Sequence, residues 1–93
     1  MSTAVEAVKA VFGWLKKRQE TAIVYHLLKN EGRVQPVVET LAAPQAELTV
    51  YRDGLVDAGY LKEVGTMGSG LAWFRSLRGD ELLEALEADR GEE

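Results

Sequence analysis

The segment over residues 45–76 constrains the fold of this chain more than any other part of the sequence. Its first half repeats apolar residues at helical spacing, at Leu48, Tyr51, Leu55 and Ala58. Gly59 follows at the position where glycine commonly ends a helix. Residues 61–64 and 71–76 flank a glycine-rich link and predict two strands. This segment is therefore predicted to be a helix over residues 45–58 followed directly by a small antiparallel hairpin.

The rest of the chain is predicted to be helical. Helical patterns cover residues 4–17, residues 19–30 and a short stretch from residue 34 or 35 to residue 41. After the hairpin, Ser76 is placed to cap a leucine-rich helix over about residues 77–89. The predicted fold class is mainly α with a small antiparallel β-hairpin.

Composition limits the chain to a few classes of protein. Its 93 residues are enough for a single domain, and its 46% hydrophobic content suits a packed globule. The absence of cysteine excludes disulfides and thiolate zinc sites. Because the chain has a single histidine, we predict no transition-metal site. No apolar run approaches the roughly 20 residues of a membrane span, and the start of the chain lacks the pattern of a signal peptide. We therefore expect a cytoplasmic protein.

The order of elements over about residues 20–86 resembles the winged helix-turn-helix superfamily of small regulators, of the MarR, ArsR and PadR kind. In that family the recognition helix tends to close with leucine, two or three residues, glycine and a hydrophobic strand, as residues 55–61 do here. Its strand-to-helix signature has an aromatic strand, threonine, two residues, glycine and an acidic leucine-rich helix. The counterpart here is residues 73–83, with Ser76 in place of threonine. The resemblance implies a winged helix with additional N- and C-terminal helices.

The resemblance also implies double-stranded DNA as a partner, with residues 45–58 as the recognition helix. Gln45 and Thr49 would contact the major groove, because amides read base edges and hydroxyls touch phosphates. Arg33, Lys62 and Arg75 would hold phosphates, and Met67 would act as a wedge at a hairpin tip where Ser69 permits close approach. The predicted DNA-binding residues are Arg33, Gln45, Thr49, Val50, Lys62, Met67, Ser69 and Arg75.

Two features of the sequence depart from that family. Its recognition helices usually expose serine, threonine and arginine, whereas this chain offers Gln45, Glu47, Thr49, Val50 and Asp53. Arg75 stands where the family usually has an aliphatic residue. The net charge of −4 and the pI of about 5 also differ from those of typical duplex-binding proteins, which are basic.

Two functions follow as predictions. The first is a small transcriptional regulator, a homodimer built on the terminal helices, whose two-fold symmetry implies half-sites about one DNA turn apart. The alternative is a winged-helix protein–protein interaction module whose acidic helix faces a basic partner and binds no DNA. We predict no enzyme activity, cofactor or metal, because His26 has no cysteine or serine partner in the pattern and the carboxylates resemble solvated faces.

Overall fold

The computed structural model describes Val8, residues 17–68 and residues 70–91, and within them the chain is mainly helical with one β-hairpin. The elements in order are α1 (Lys17–Lys29), α2 (Val34–Leu41), α3 (Gln45–Asp57), β1 (Leu61–Thr66), β2 (Gly70–Arg75) and α4 (Leu77–Gly91). The two strands pair antiparallel, with Leu61 opposite Arg75 and Thr66 opposite Gly70. The predicted fold class, mainly α with a small antiparallel hairpin, is confirmed.

Most predicted boundaries lie within two residues of the observed ones. The helix predicted to start at residue 34 or 35 is Val34–Leu41, and the helix predicted over 45–58 ends at Asp57. The strands begin at Leu61 and Gly70, and β1 extends two residues beyond its predicted end. Most of the helix predicted over residues 4–17 lies outside the described residues. Val8, which is described, is helical and buried.

A single apolar core joins the elements. The side chains with at most 2% exposure come from every helix and from β1: Val8, Ile23, Val24, Leu27, Leu28, Val37, Leu48, Leu55, Leu61 and Leu86. Burying each large aliphatic side chain contributes about 1.5–3 kcal/mol. Helix α1 supplies four of these side chains and contacts α2, α3 and α4, so it forms the centre of the fold.

The turn after α1 requires a glycine for two reasons. Gly32 has a φ of +81°, and its amide donates to the Leu27 carbonyl at 2.8 Å, as in a left-handed helix end. A Cβ at Gly32 would also lie 2.8 Å from the Cβ of Trp73. The hairpin therefore packs directly on the backbone of this turn.

Hydrogen bonds at Ser76 join the start of the hairpin to the start of α4. The Ser76 hydroxyl donates to the Gly59 carbonyl at 2.5 Å and accepts from the Gly79 amide at 3.0 Å. The Ser76 amide donates to the Tyr60 carbonyl at 3.2 Å. Ser76 thus caps α4, as predicted, and also ties that helix to the residues that follow α3.

Candidate interaction surface

Helix α3 exposes one side because it buries the other. Leu48 and Leu55 are fully buried and lie seven residues apart, on one line along the helix. With about 100° per residue, the positions opposite that line are those of four exposed residues, which we call the outer ridge: Ala46, Val50, Asp53 and Asp57. The outer ridge is therefore apolar along its first half and acidic along its second half.

The predicted base-reading residues lie beside the outer ridge. Gln45 is exposed, whereas Thr49 is partly buried and its hydroxyl donates to the Gln45 carbonyl at 2.9 Å. The helical angles put both on the flank that also carries Arg52, which contacts the hairpin. Val50, the third residue predicted on this helix, is 67% exposed and lies on the ridge itself.

Two of the three predicted phosphate-binding bases are exposed. Arg33 precedes α2 at its N-cap position and makes no capping hydrogen bond there with its side chain. Lys62 lies on β1, opposite Phe74 of β2. Their chain neighbours Gly32 and Leu61 lie close together, because a Cβ at Gly32 would be 3.5 Å from the Cδ1 of Leu61.

Arg75, the third predicted base, makes hydrogen bonds to other parts of the chain. Its Nε donates to Asp80 at 2.8 Å, and its Nη1 donates to the carbonyl of Leu28 at 2.9 Å. A guanidinium at the C-terminal end of α1 satisfies carbonyls that have no partner within the helix and complements the helix dipole. We therefore assign Arg75 to fastening the hairpin onto α1 and remove it from the set of surface contacts.

The single base of α3 also points into the molecule. The Arg52 guanidinium lies 4.1 Å from the centroid of the Trp73 ring, and its Nη2 lies 3.4 Å from Asp53. Its side chain is only 17% exposed. The three carboxylates of α3, on Glu47, Asp53 and Asp57, are all on exposed residues, so the solvent side of this helix is negatively charged.

A cleft between α3 and β1 collects most of that charge. It has a volume of about 390 Å³, is widely open to solvent, and is lined by Asp53, Val56, Asp57 and Glu63. Among the described residues, no group of three or more histidine or carboxylate side chains has the arrangement of a metal site. Three carboxylates around one apolar side chain suit the ammonium or guanidinium group and the aliphatic stem of a lysine or arginine.

The hairpin has an outward apolar face and an exposed tip. Lys62, Val64, Ala72 and Phe74 share the face opposite to Leu61 and Trp73, and Val64 and Phe74 are 44% and 48% exposed. Met67 is fully exposed at the tip. Ser69, the other residue predicted to act at the tip, lies outside the described residues.

Sequence reasoning did not assign roles to several residues of this surface. The helical angles of α3 alone would have placed Asp57 on one line with Val50 and Asp53. The position of Glu63 across the cleft depends on how the hairpin packs on α3, which has no local signal. The same is true of the Arg52–Trp73 stack.

The described part of the chain has no helix that is both long enough and apolar enough to cross a lipid bilayer. Comparisons with family models, curated proteins and solved structures found no significant match to this chain.

Proposed function

We propose that this chain is a protein–protein interaction module of the winged-helix kind, which binds a basic segment of a partner protein in the cytoplasm. The observation that carries this proposal is the combination of the acidic half of the outer ridge with the carboxylate cleft beside it. Val50 adds an apolar contact at the other half of the ridge. An amphipathic segment with lysines or arginines on one side and aliphatic residues next to them fits both parts.

The balance of charge supports this choice over DNA. Two unit charges about 4 Å apart interact by about 1 kcal/mol in water and about 4 kcal/mol near a protein surface. If α3 lay in a major groove, the carboxylates of Asp53 and Asp57 would be repelled by the DNA phosphates with an energy of this size. Only Arg33 and Lys62, among the predicted contacts, remain to oppose it. The same two carboxylates attract a cationic partner.

Duplex DNA is the second candidate, and the arrangement of elements favours it. Helix α2, a three-residue turn, α3 and a hairpin follow one another, and Gln45 is exposed at the N-terminus of α3. The amides at a helix N-terminus attract phosphate. In this case the groove would be contacted by Gln45, Thr49 and Val50. The positions beside the groove would be those of Arg33, Lys62 and Met67. The protein would then act as a homodimeric transcriptional regulator.

A crossed binding experiment separates the two candidates. Fluorescence anisotropy is measured with a labelled amphipathic lysine–leucine peptide and with a labelled random-sequence DNA duplex, each over a range of salt. The variant Asp53→Asn with Asp57→Asn removes two charges from the surface. Glu81→Gln with Glu84→Gln removes two charges from exposed positions of α4 and is the matched control.

The proposal predicts that the peptide binds to the parent protein. The double variant of Asp53 and Asp57 should lower the affinity for the peptide about 2- to 30-fold, because two exposed ion pairs contribute about 0.2–1 kcal/mol each. The α4 control should bind as the parent protein does. Tight duplex binding without peptide binding would replace the proposal by the DNA function. In that case Arg33→Ala with Lys62→Ala should lower the salt slope by about two.

A further inference from the structure

Trp73 of β2 contacts three other parts of the fold, which are α3, β1 and the turn at Gly32. Its ring lies under the Arg52 guanidinium of α3 at 4.1 Å, and its Nε1 donates to the Glu63 carboxylate of β1 at 3.1 Å. Glu63 and Trp73 are also directly opposite each other in the hairpin. The backbone of Gly32 lies against the Cβ and Cγ of Trp73 on the remaining side.

This arrangement fixes the two walls of the carboxylate cleft relative to each other. Asp53 and Asp57 lie on α3, and Glu63 lies on β1. The contact between Arg52 and Trp73 joins α3 to β2, and Trp73 in turn pairs with Glu63 and donates a hydrogen bond to its carboxylate. A planar guanidinium stacks on an indole face, whereas an ammonium group attracts the ring only as a point charge. The distance between the walls therefore depends on a contact that only arginine makes in this form.

We infer that the Arg52–Trp73 stack is a latch that sets the angle of the hairpin against α3, with Arg52 as a positioning residue of the interaction surface. Arg52 contacts no partner in this arrangement, because its guanidinium faces the indole and Asp53. The part of the inference that concerns binding rests on the proposed function. The part that concerns the hairpin stands independently.

Amide hydrogen exchange tests the latch without any ligand. The variants are Arg52→Lys, which keeps the charge, and Arg52→Gln, which removes it. Arg33→Lys makes the same chemical change at an exposed arginine for which the structure shows no ring contact. Exchange is followed at the amides of β1 and β2 and, as an internal reference, at the amides of α1.

The latch predicts that Arg52→Gln speeds exchange in the hairpin about two- to fivefold, which corresponds to the whole cation–π contribution at a partly exposed site. Arg52→Lys should speed exchange there by a smaller factor, because the ammonium group keeps its point-charge attraction to the ring. The α1 amides and the Arg33→Lys variant should show no such change. Equal acceleration in α1 would mean general loss of stability and would overturn the inference. An Arg52→Lys variant that exchanges like the parent protein would also overturn it, because charge alone would then suffice.

Binding of the lysine–leucine peptide gives a second readout. Arg52→Lys should lower the affinity for the peptide although the net charge of the protein is unchanged. The dependence of that affinity on salt concentration should stay the same. A parent protein that does not bind the peptide would refute the proposed function while the exchange result still decides the latch. An Arg52→Lys variant with parental peptide affinity and faster hairpin exchange would refute the positioning role alone.

Discussion

The replacement Gly79→Ala separates helix propensity from packing at the junction of the hairpin with α4. Gly79 lies in the first turn of α4, where alanine in place of glycine should stabilise the helix by up to about 1 kcal/mol. A Cβ at this position would overlap the Tyr60 carbonyl oxygen and would lie 3.1 Å from the Tyr60 carbonyl carbon. Ordinary contacts between carbon atoms are about 3.5–4.0 Å. The helix must therefore shift away from Tyr60.

That shift strains the hydrogen bonds made by Ser76 to Gly59, Tyr60 and Gly79. Overpacking typically costs about 1–3 kcal/mol, and each weakened hydrogen bond adds up to about 1 kcal/mol. After subtraction of the gain in helix propensity, we expect a net loss of about 2 kcal/mol. For a domain of this size, that loss corresponds to a fall in Tm of about 8–16 °C.

Thermal and urea unfolding, followed by circular dichroism, measure this loss. Gly65→Ala is the control, because a Cβ at Gly65 meets no atom within 4 Å. We expect the Gly65 variant to keep or slightly raise the stability of the parent protein, since alanine restricts the unfolded chain. A Gly79→Ala protein at least as stable as the parent would refute the packing argument and leave helix propensity as the deciding effect.

Four further replacements test other contacts by urea unfolding. Ser76→Ala should cost about 1–2 kcal/mol, because it removes the α4 cap. Arg75→Gln should cost about 1–3 kcal/mol through its lost bonds to α1, whereas Asp80→Asn should cost at most about 1 kcal/mol because Asp80 is exposed. Burial, the Glu20 carboxylate and a hydrogen bond to it raise the pKa of Tyr51 above its ordinary value. Because the folded state favours the protonated phenol, this group stabilises the fold fully below about pH 10, and that stabilisation is lost as the pH rises through the raised pKa. Between about pH 10 and higher pH, the free energy of unfolding of Tyr51→Phe should therefore fall less than that of the parent protein.

The fold could be predicted from the sequence because its signals are local. The four-residue and three-residue spacing of apolar positions identified α3, and Gly59, with a φ of +85°, ended it as expected. The glycine-rich link between the two apolar runs identified the hairpin. Each of these signals acts within a few residues, so no knowledge of the tertiary structure was required.

The roles of the arginines could not be predicted in the same way. Arg75 donates to Leu28, which is 47 residues earlier in the chain, and Arg52 stacks on Trp73, which is 21 residues later. From the sequence, Arg75 was predicted to hold a phosphate, whereas Arg52 was assigned no contact. Their actual partners are set by how the hairpin lies on α1 and α3, and residue type carries no information about that.

The position of these arginines decides how the surface can be used. In the proposed function α3 faces the partner, and the sign of the charge on this helix then selects the kind of partner. Here Arg52 and Arg75 are turned inward, where they stabilise the hairpin, while Asp53 and Asp57 remain outside. Two arginines that could have added positive charge to this surface are thus held in contacts within the molecule. The proposed preference for a cationic segment over DNA rests on this distribution of charge between the inside and the outside of the surface.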